Sequence, residues 1–338
     1  MRRECVAGFA VALSAVAGSQ FVDAQGRGGR PTPSVQQWAE NPETQTHVAA
    51  AMKMAGEDLA PQARMFCTAT GPQRMAVARQ VAGLPPMPNV VVEPTKVFDN
   101  LYFIGMTSQN VWAITTSQGI ILIDTMNDTG EAKDVIVAGM KKLGLDPANI
   151  KYIITSHGHP GQTDHTGGAA YLQELTGARV LMHPADWDLV LPAQQPGKPL
   201  ATRDTNAADG QKVTLGDTTI TLMHIPGHTP GSLGVIIPVK DHGTPRTVMT
   251  LAATEMPTQA SYRQFEHVLN TYAKPARVEA ALNMHPNGLS QVLDQLEFIR
   301  KNPNAPNPFL YGPERFSRWM DIMLECGKGR LIAMGIQP

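Results

Sequence analysis

The sequence predicts an α/β protein in which two β-sheets pack against each other and helices lie on the outside. Runs of strand-forming residues alternate with helix-spaced apolar patterns in both halves of the chain. The chain has 338 residues, of which 42% are hydrophobic and only 17% are charged. A chain of this length and composition can bury a large core, which excludes a wholly disordered protein. Two packed sheets covered by helices are a stable way to build that core.

The first half of the predicted domain contains the clearest strands. Val111–Ile114 and Ile120–Ile123 are apolar runs on either side of a Ser-Gln-Gly turn, which is typical of neighbouring strands. Helical spacing follows over residues 129–143. Later strands are predicted at Tyr152–Ile154 and Val180–Met182, and a segment rich in glycine and histidine lies between them.

The second half, from Asp209 onward, is mostly strand-like. Polar and apolar residues alternate over Thr218–Ile225, and two further apolar runs predict strands at Gly234–Ile237 and Thr247–Leu251. Helices are predicted over residues 261–273 and 288–301. A last helix is expected to begin at Pro313 and to end at Gly327, because proline favours a first turn and glycine favours a helix end.

Residues 1–24 have the organisation of a secretory signal. A short basic start precedes an apolar run over residues 5–17, and Val22-Asp23-Ala24 places small side chains at the positions that a signal peptidase reads. The apolar run is too short to span a bilayer comfortably. We therefore expect cleavage after Ala24, a periplasmic or secreted location, and no membrane anchor in the mature chain.

Residues 25–90 are predicted to form a linker and a helical extension ahead of the main domain, residues 91–338. The extension has apolar residues at helical spacing, such as Val48, Ala51 and Ala55. Cys67 lies within it, and Cys326 lies near the other end of the chain. In an oxidising compartment these two cysteines could pair or remain as buried thiols, and the sequence leaves both alternatives open.

The charge balance excludes one class of partner. The chain has 28 Lys and Arg residues and 29 Asp and Glu residues, for a formal net charge of −1. A nucleic-acid binder needs a basic face to neutralise phosphates. We therefore expect a small-molecule substrate and no nucleic acid.

The chemistry of the chain is concentrated in its histidines. Five of them follow predicted strands, and one aspartate accompanies them: His157, His159, Asp164, His165, His228 and His285. Imidazole and carboxylate are good ligands for zinc. Strand ends meet at one edge when two sheets pack together, so these side chains predict a metal centre at that edge. Asp124 also ends a strand, and we interpret it as a carboxylate that orders a loop.

In this order, the blocks Asp124, His157-x-His159, Asp164-His165-x-Gly-Gly, Pro-Gly-His228-Thr-Pro-Gly-Ser and His285-Pro resemble the metallo-β-lactamase superfamily. The resemblance runs from about Val97 to about Arg330. It implies an αβ/βα four-layer sandwich with a dinuclear zinc site at one edge of the sheets, and therefore two zinc ions per chain.

The resemblance also implies the roles of the ligands. His157, His159 and His228 would hold the first zinc ion, and Asp164, His165 and His285 would hold the second. Asp164 would also position the attacking hydroxide and so act as a catalytic residue. Most hydrolases of the superfamily have a bridging aspartate before the last ligand, and residues 248–255 contain none. This ligand set is most similar to that of the subclass B3 enzymes, although Glu255 is a less favoured replacement for the missing aspartate.

One departure concerns the metal loop itself. Four residues, Pro160-Gly161-Gln162-Thr163, separate His159 from Asp164, where the family has one. Gly161 would allow the extra residues to form an outward bulge. Alternatively, the insertion could move Asp164 away from the second zinc ion and leave a one-zinc or inactive site.

The resemblance implies a zinc-dependent β-lactamase that opens cyclic amides by attack of a metal-activated hydroxide. A lactonase or another ester hydrolase on the same scaffold is the first alternative. A non-catalytic homologue with a degenerate metal site is the second. The fold alone does not choose the substrate.

Overall fold

A computed structural model describes residues 31–71, 88–252, 254–285 and 292–338. Two β-sheets pack face to face, and helices cover both outer faces. This arrangement confirms the predicted αβ/βα sandwich. The predicted signal, residues 1–24, lies outside the described residues.

The first sheet contains seven strands in chain order. Its first four strands are antiparallel, and the strands from β4 to β7 are parallel neighbours. The strands are β1 (Val91–Phe98), β2 (Leu101–Met106), β3 (Asn110–Thr116), β4 (Gly119–Ile123), β5 (Ile150–Ile154), β6 (Arg179–Met182) and β7 (Thr205–Asn206).

The second sheet contains five strands in the order β12-β11-β10-β9-β8. All neighbours are antiparallel except β11 and β12, which run parallel, so both of these strands end at the same edge. The strands are β8 (Lys212–Leu215), β9 (Thr218–His224), β10 (Leu233–Asp241), β11 (Thr244–Leu251) and β12 (Ala280–Asn283).

Ten α-helices lie in the described part of the chain. They are α1 (Val35–Glu40), α2 (Pro42–Ala55), α3 (Ala60–Phe66), α4 (Thr129–Glu131), α5 (Ala138–Lys142), α6 (Ala169–Thr176), α7 (Pro184–Val190), α8 (Gln259–Val268), α9 (Val292–Lys301) and α10 (Pro313–Ala333). A π-helical segment, Ala132–Val137, joins α4 to α5, and a second one, Leu269–Ala273, extends α8.

The core has three layers because each sheet is apolar on both faces. Trp112 is fully buried between the sheets, where its ring meets Phe103 at 5.6 Å and Phe309 at 6.3 Å between centroids. The outer face of the first sheet packs against the π-helical segment Ala132–Val137 and α5 to α7, and that of the second sheet packs against α2, α3, α8 and α10. Burial on both faces explains why β3 and β4 are continuous apolar runs rather than alternating patterns.

The helical extension packs on the second sheet and on α10. Thr44 of α2 donates a hydrogen bond to the carbonyl of Gly329 at 3.0 Å. Cys67, at the end of α3, is disulfide-bonded to Cys326 of α10, with 4.9 Å between the two Cα atoms. Of the two alternatives that the sequence left open, the structure therefore contains the bond.

The predicted end of the last helix is wrong. α10 continues through Gly327 and Gly329 to Ala333. A Cβ atom on Gly327 would lie 2.9 Å from the side chain of Met256, so this glycine allows close packing rather than ending the helix. Within the four described ranges, no helix has the length and apolar character needed to cross a membrane.

Candidate metal centre

Three strands end at the edge of the sandwich that carries the predicted ligands. His157 follows β5, His228 follows β9, and His285 follows β12. A hydrogen bond links the two sheets here, because the N–H of Leu233 at the start of β10 donates to the carbonyl of Ser156, just after β5, at 2.7 Å. The histidines of the two sheets therefore meet at one place, as the sequence predicts.

Five histidines form two overlapping groups that share His157. In the first group, His157, His159 and His228 are all buried, and the Nε2 atoms of His159 and His228 lie 3.1 Å apart. In the second group, His157 lies with His165 and His285, whose Nε2 atoms lie 3.3 Å apart. Within each group one ligand atom per residue lies within 4.8 Å of every other.

Asp124 fixes the position of the buried ring of His165. Its Oδ2 atom accepts a hydrogen bond from His165 Nδ1 at 2.6 Å, and its two oxygens also accept from the N–H and hydroxyl of Ser156 at 2.7 and 2.8 Å. Asp124 and His165 both have positive φ angles of 67°, a conformation that costs energy outside glycine. The hydrogen bonds to this buried carboxylate hold both residues in that conformation.

The outer partners of the rings decide which nitrogen carries the proton. Carboxylates and carbonyls only accept hydrogen bonds, so Nδ1 of His165 beside Asp124 and Nδ1 of His285 beside the carbonyl of Ser108, at 2.7 Å, are the protonated nitrogens. The two Nε2 atoms then face each other as lone pairs. Two acceptors this close repel each other unless a cation lies between them.

The distances between the Nε2 atoms also fit a bound divalent metal. Zinc–nitrogen bonds of about 2.0–2.1 Å at tetrahedral angles place two ligand nitrogens about 3.3 Å apart, close to the Nε2 separations in both pairs. Nε2 of His157 is buried and has no hydrogen-bond partner among the described residues. A buried polar atom without a partner is costly, and a metal ion would satisfy it.

Burial and the neighbouring rings set the charge of His157. Burial lowers the pKa of His157 well below its usual value, and the nearby His165 and His228 lower it further. The ring is therefore neutral at physiological pH, which is the form that binds metals.

Asp164 belongs to neither histidine group. It is half-buried, and its Oδ1 atom is buried without a hydrogen-bond partner in the described part of the chain. The inserted residues form a turn in which the N–H of Gln162 donates to the carbonyl of His159 at 3.2 Å, and Gly161 has a φ of 69°. The insertion is thus accommodated as a local turn, and the roles of Asp164 as a metal ligand and catalytic residue stay predictions.

Asp186, which the sequence analysis missed, connects the two metal loops. This buried carboxylate in α7 accepts hydrogen bonds from the N–H of Gly158 at 2.9 Å, the N–H of Gly231 at 2.7 Å and the hydroxyl of Thr229 at 2.6 Å. Burial raises the pKa of Asp186, and these hydrogen bonds oppose that rise. A carboxylate in a short helix 28 residues from its glycine partner leaves no local signal in the sequence.

Glu255 lies behind His228 rather than between the metal positions. Its Oε1 atom is 3.3 Å from Nδ1 of His228, on the opposite side of the ring from Nε2. The weakly favoured role as a bridging ligand is therefore wrong in this structure. Glu255 instead orients an imidazole, as acidic partners of metal-bound histidines commonly do.

Two further histidines stack outside the centre. The rings of His183 and His224 are nearly parallel, with 4.0 Å between centroids. Nδ1 of His183 accepts from the N–H of Ala185 and so caps the helix that carries Asp186, while His224 bonds to the carbonyl of Pro230 in the His228 loop at 2.8 Å. Both side chains support the loops of the centre.

The αβ/βα sandwich has a histidine-rich edge whose residues could hold a divalent metal. Residues 104–242 match the family model of the metallo-beta-lactamase superfamily. The members of this superfamily are hydrolases, and their fold implies a divalent metal, usually zinc. The family resemblance drawn from the sequence is thereby confirmed.

Solved structures of similar fold include subclass B3 metallo-β-lactamases. The chain is 29% identical to the enzyme of Bradyrhizobium japonicum, with a TM-score of 0.57, over 72% of this chain and 96% of that one. A metallo-β-lactamase of Cronobacter sakazakii is similar in fold, with a TM-score of 0.59 and 24% identity over 73% of this chain and 96% of that one.

Similar curated proteins have other activities. The chain is 35% identical to a hydroxyacylglutathione hydrolase of Pseudomonas aeruginosa over 88 residues, which are 26% of this chain and 28% of the relative. It is 27% identical to an N-acyl homoserine lactonase of a Bacillus species over 161 residues, 39% of this chain and 60% of the relative. The chain thus spans under a third of the first relative and under two thirds of the second.

Proposed function

We propose that this protein is an exported, zinc-dependent β-lactamase that opens the ring amide of β-lactams. The observation that carries the proposal is the extent of the likeness to the Bradyrhizobium japonicum enzyme, which covers 96% of that chain at 29% identity. The likeness to hydrolases of other substrates covers much less of those proteins. The absence of an aspartate from residues 248–255 supports the same choice.

Two zinc ions per chain would be held by the two histidine groups. The first would take His157, His159 and His228, and the second would take His165 and His285 together with Asp164 from the sequence prediction. Zinc bound there supplies an activated water at neutral pH and polarises the substrate carbonyl.

The residues of the chain prepare the site for that chemistry. Asp124 and the carbonyl of Ser108 keep protons on the Nδ1 atoms of His165 and His285, so the Nε2 lone pairs point inward. Glu255 does the same for His228. Because the first group is buried, bulk water does not compete for the ligand atoms.

The proposal is tested on purified mature protein by measuring zinc per chain together with turnover of nitrocefin and a carbapenem. We expect two zinc ions and turnover that a chelator abolishes. His159→Gln should lower both readings, and the matched control His267→Gln, on an exposed histidine of α8, should lower neither. Less than one zinc ion after reconstitution would refute the catalytic proposal and favour a degenerate site.

A second candidate is a lactonase or thioesterase, which the two curated relatives favour. The same protein sample is assayed with an N-acyl homoserine lactone and with an acylglutathione thioester. Two bound zinc ions with turnover of either compound, and none of a β-lactam, would replace the first candidate by the second.

Export is tested separately. We expect the chain to be recovered from the periplasmic or culture fraction with the mass that follows cleavage after Ala24. Recovery of the uncleaved chain from the cytoplasm would contradict this location.

A further inference from the structure

Arg330 of α10 is a buried cation on the far side of the second sheet from the first. Its side chain belongs to a residue that is only 6% exposed, and its Nη1 atom donates a hydrogen bond to the carbonyl of Phe66 at 2.8 Å. The guanidinium also lies over the Phe66 ring, 4.8 Å from its centroid, and Nη2 is buried without a hydrogen-bond partner in the described ranges. Burying a cation is costly unless a negative charge compensates it. The position of Arg330 therefore calls for an acidic side chain nearby.

Glu255 supplies a negative charge from behind the metal centre. Burial lowers the pKa of Arg330 to about 10, and the charge of Glu255 opposes this fall. The guanidinium therefore stays protonated at neutral pH. The carboxylate of Glu255 lies 3.3 Å from Nδ1 of His228. Arg330 thus interacts electrostatically with the outer partner of a predicted metal ligand.

The packing of α10 places Arg330 between the extension and the segment that carries Glu255. At about 100° per residue, Cys326, Arg330 and Gly327 lie at about 0°, 40° and 100° around the helix. Cys326 faces the extension, to which its disulfide joins it. A Cβ atom on Gly327 would lie 2.9 Å from Met256, the next residue after Glu255. The side chain of Arg330 leaves the helix between these two directions.

The extension fixes the guanidinium from the other side. Phe66, whose carbonyl and ring both contact Arg330, immediately precedes the disulfide-bonded Cys67. A Cβ atom on Gly71 would lie 3.4 Å from Cζ of Arg330, and Gly71 has a φ of 68°, so the backbone passes close to the guanidinium. These residues lie outside residues 104–242, so the family model does not describe this contact.

We propose that Arg330 is a positioning residue of the metal centre, whose charge holds the carboxylate of Glu255 behind His228. The extension in turn holds Arg330. The carboxylate of Glu255 is 36% exposed, so without the buried positive charge water would draw it outward and it would orient His228 less well. This inference rests on the part of the proposed function in which the first histidine group binds zinc.

The proposal is tested by a double-mutant cycle on zinc affinity, measured by competition against a chromophoric chelator. Arg330→Gln removes the charge and keeps a donor for the carbonyl of Phe66. We expect it to weaken the zinc equivalent held by the first histidine group about fivefold, below the range of about 10- to 100-fold for residues that contact a ligand directly. In Glu255→Gln protein the same substitution should change this affinity less than about twofold, because the carboxylate through which Arg330 acts is gone.

Three further variants make the test specific. Arg330→Lys keeps the charge and should recover most of the lost affinity. Arg330→Met guards against loss of the fold, since an apolar side chain of similar size often replaces a buried ion without destabilisation, and it should weaken the same zinc equivalent. Arg318→Gln is the matched control, because Arg318 also joins α10 to the extension, through Asp58, and should leave both equivalents unchanged.

Unchanged zinc affinity in both Arg330→Gln and Arg330→Met would overturn the proposal. So would an equal loss with and without Glu255→Gln, which would indicate a purely structural role. If the protein binds zinc but hydrolyses no β-lactam, the proposed substrate fails and the cycle still decides the role of Arg330.

If the protein binds no zinc, the proposed function fails, and the ring of His228 in the zinc-free protein decides instead. A carboxylate beside Nδ1 favours a proton on that nitrogen. In ¹⁵N-histidine NMR spectra, we therefore expect Arg330→Gln to shift His228 toward the form protonated on Nε2, and Arg318→Gln to leave it unchanged. Identical His228 signals in Arg330→Gln and the unmodified protein would then overturn the proposal.

Discussion

Replacing Asp124 by asparagine tests how the protein prepares His165 for a metal. The two side chains have nearly the same shape, so the packing is retained and one oxygen can still accept from the N–H of Ser156. The amide nitrogen would face Nδ1 of His165, which donates to the carboxylate at 2.6 Å in the unmodified protein. Two donors cannot face each other, so the imidazole would move its proton to Nε2 and lose the lone pair that binds the metal.

The size of the effect follows from the contacts that are lost. The hydroxyl of Ser156 keeps a second partner in Nδ1 of His157 at 3.0 Å, so the essential loss is one charge-assisted hydrogen bond to His165. Such bonds contribute about 1.5–3 kcal/mol. This range converts to a metal affinity about 10- to 150-fold weaker, in agreement with the range of about 10- to 100-fold for outer partners of ligands.

The assay is competition for zinc against a chromophoric chelator, resolved into the first and the second equivalent. We expect Asp124→Asn to weaken mainly the equivalent held by His165 and His285. Asp128→Asn is the matched control, because Asp128 caps α4 and touches no histidine of the centre. Zinc affinities within twofold of the unmodified protein for both equivalents would refute this account of the tautomer.

Four further outcomes are expected. Glu255→Gln should weaken zinc binding less than tenfold in the same competition assay, because this carboxylate is 36% exposed and its bond is long at 3.3 Å. Asp186→Ala should lower the free energy of unfolding, measured in urea, by about 2–4 kcal/mol, since three buried hydrogen bonds lose their acceptor. Reduction of Cys67–Cys326 should lower it by about 2–4 kcal/mol, and double replacement by serine should make the protein insensitive to reductant. Burial lowers the pKa of His183 to about 4, so between pH 6.5 and 4 the unfolded chain binds a proton that the folded chain does not, and stability falls as the pH falls through that window. Because the ring is only half-buried, we expect the free energy of unfolding to fall by less than about 1 kcal/mol per pH unit. His183→Asn retains a capping side chain and should flatten the dependence of the free energy of unfolding, measured in urea, on pH.

The position of the centre was predictable because its ligands follow apolar runs. Strand ends converge whenever two sheets pack, so His157, His228 and His285 could be assigned to one edge from sequence alone. Asp124 was interpreted from the sequence as a carboxylate that orders a loop, and its contact with Nδ1 of His165 came only from the structure.

The remaining features depend on contacts between distant parts of the chain. Asp186 accepts hydrogen bonds from loops on both sides of the site, and Glu255 contacts Nδ1 of His228 rather than Nε2. Both contacts depend on the three-dimensional arrangement and leave no local pattern in the sequence. The end of α10 was misjudged because a glycine that ends a helix and a glycine that admits Met256 look the same in sequence. α3 packs against α10, and no local pattern in the sequence records that pairing.

The disulfide between the extension and α10 has a consequence for the order of events during synthesis. Its two cysteines are separated by 259 residues. At about 5–20 residues per second, the second cysteine leaves the ribosome about 13–50 s after the first. During this interval α10, the helix against which the apolar faces of α2 and α3 pack, has not yet been synthesised. The nascent chain therefore offers holding chaperones an exposed amphipathic segment until translation of α10 is complete.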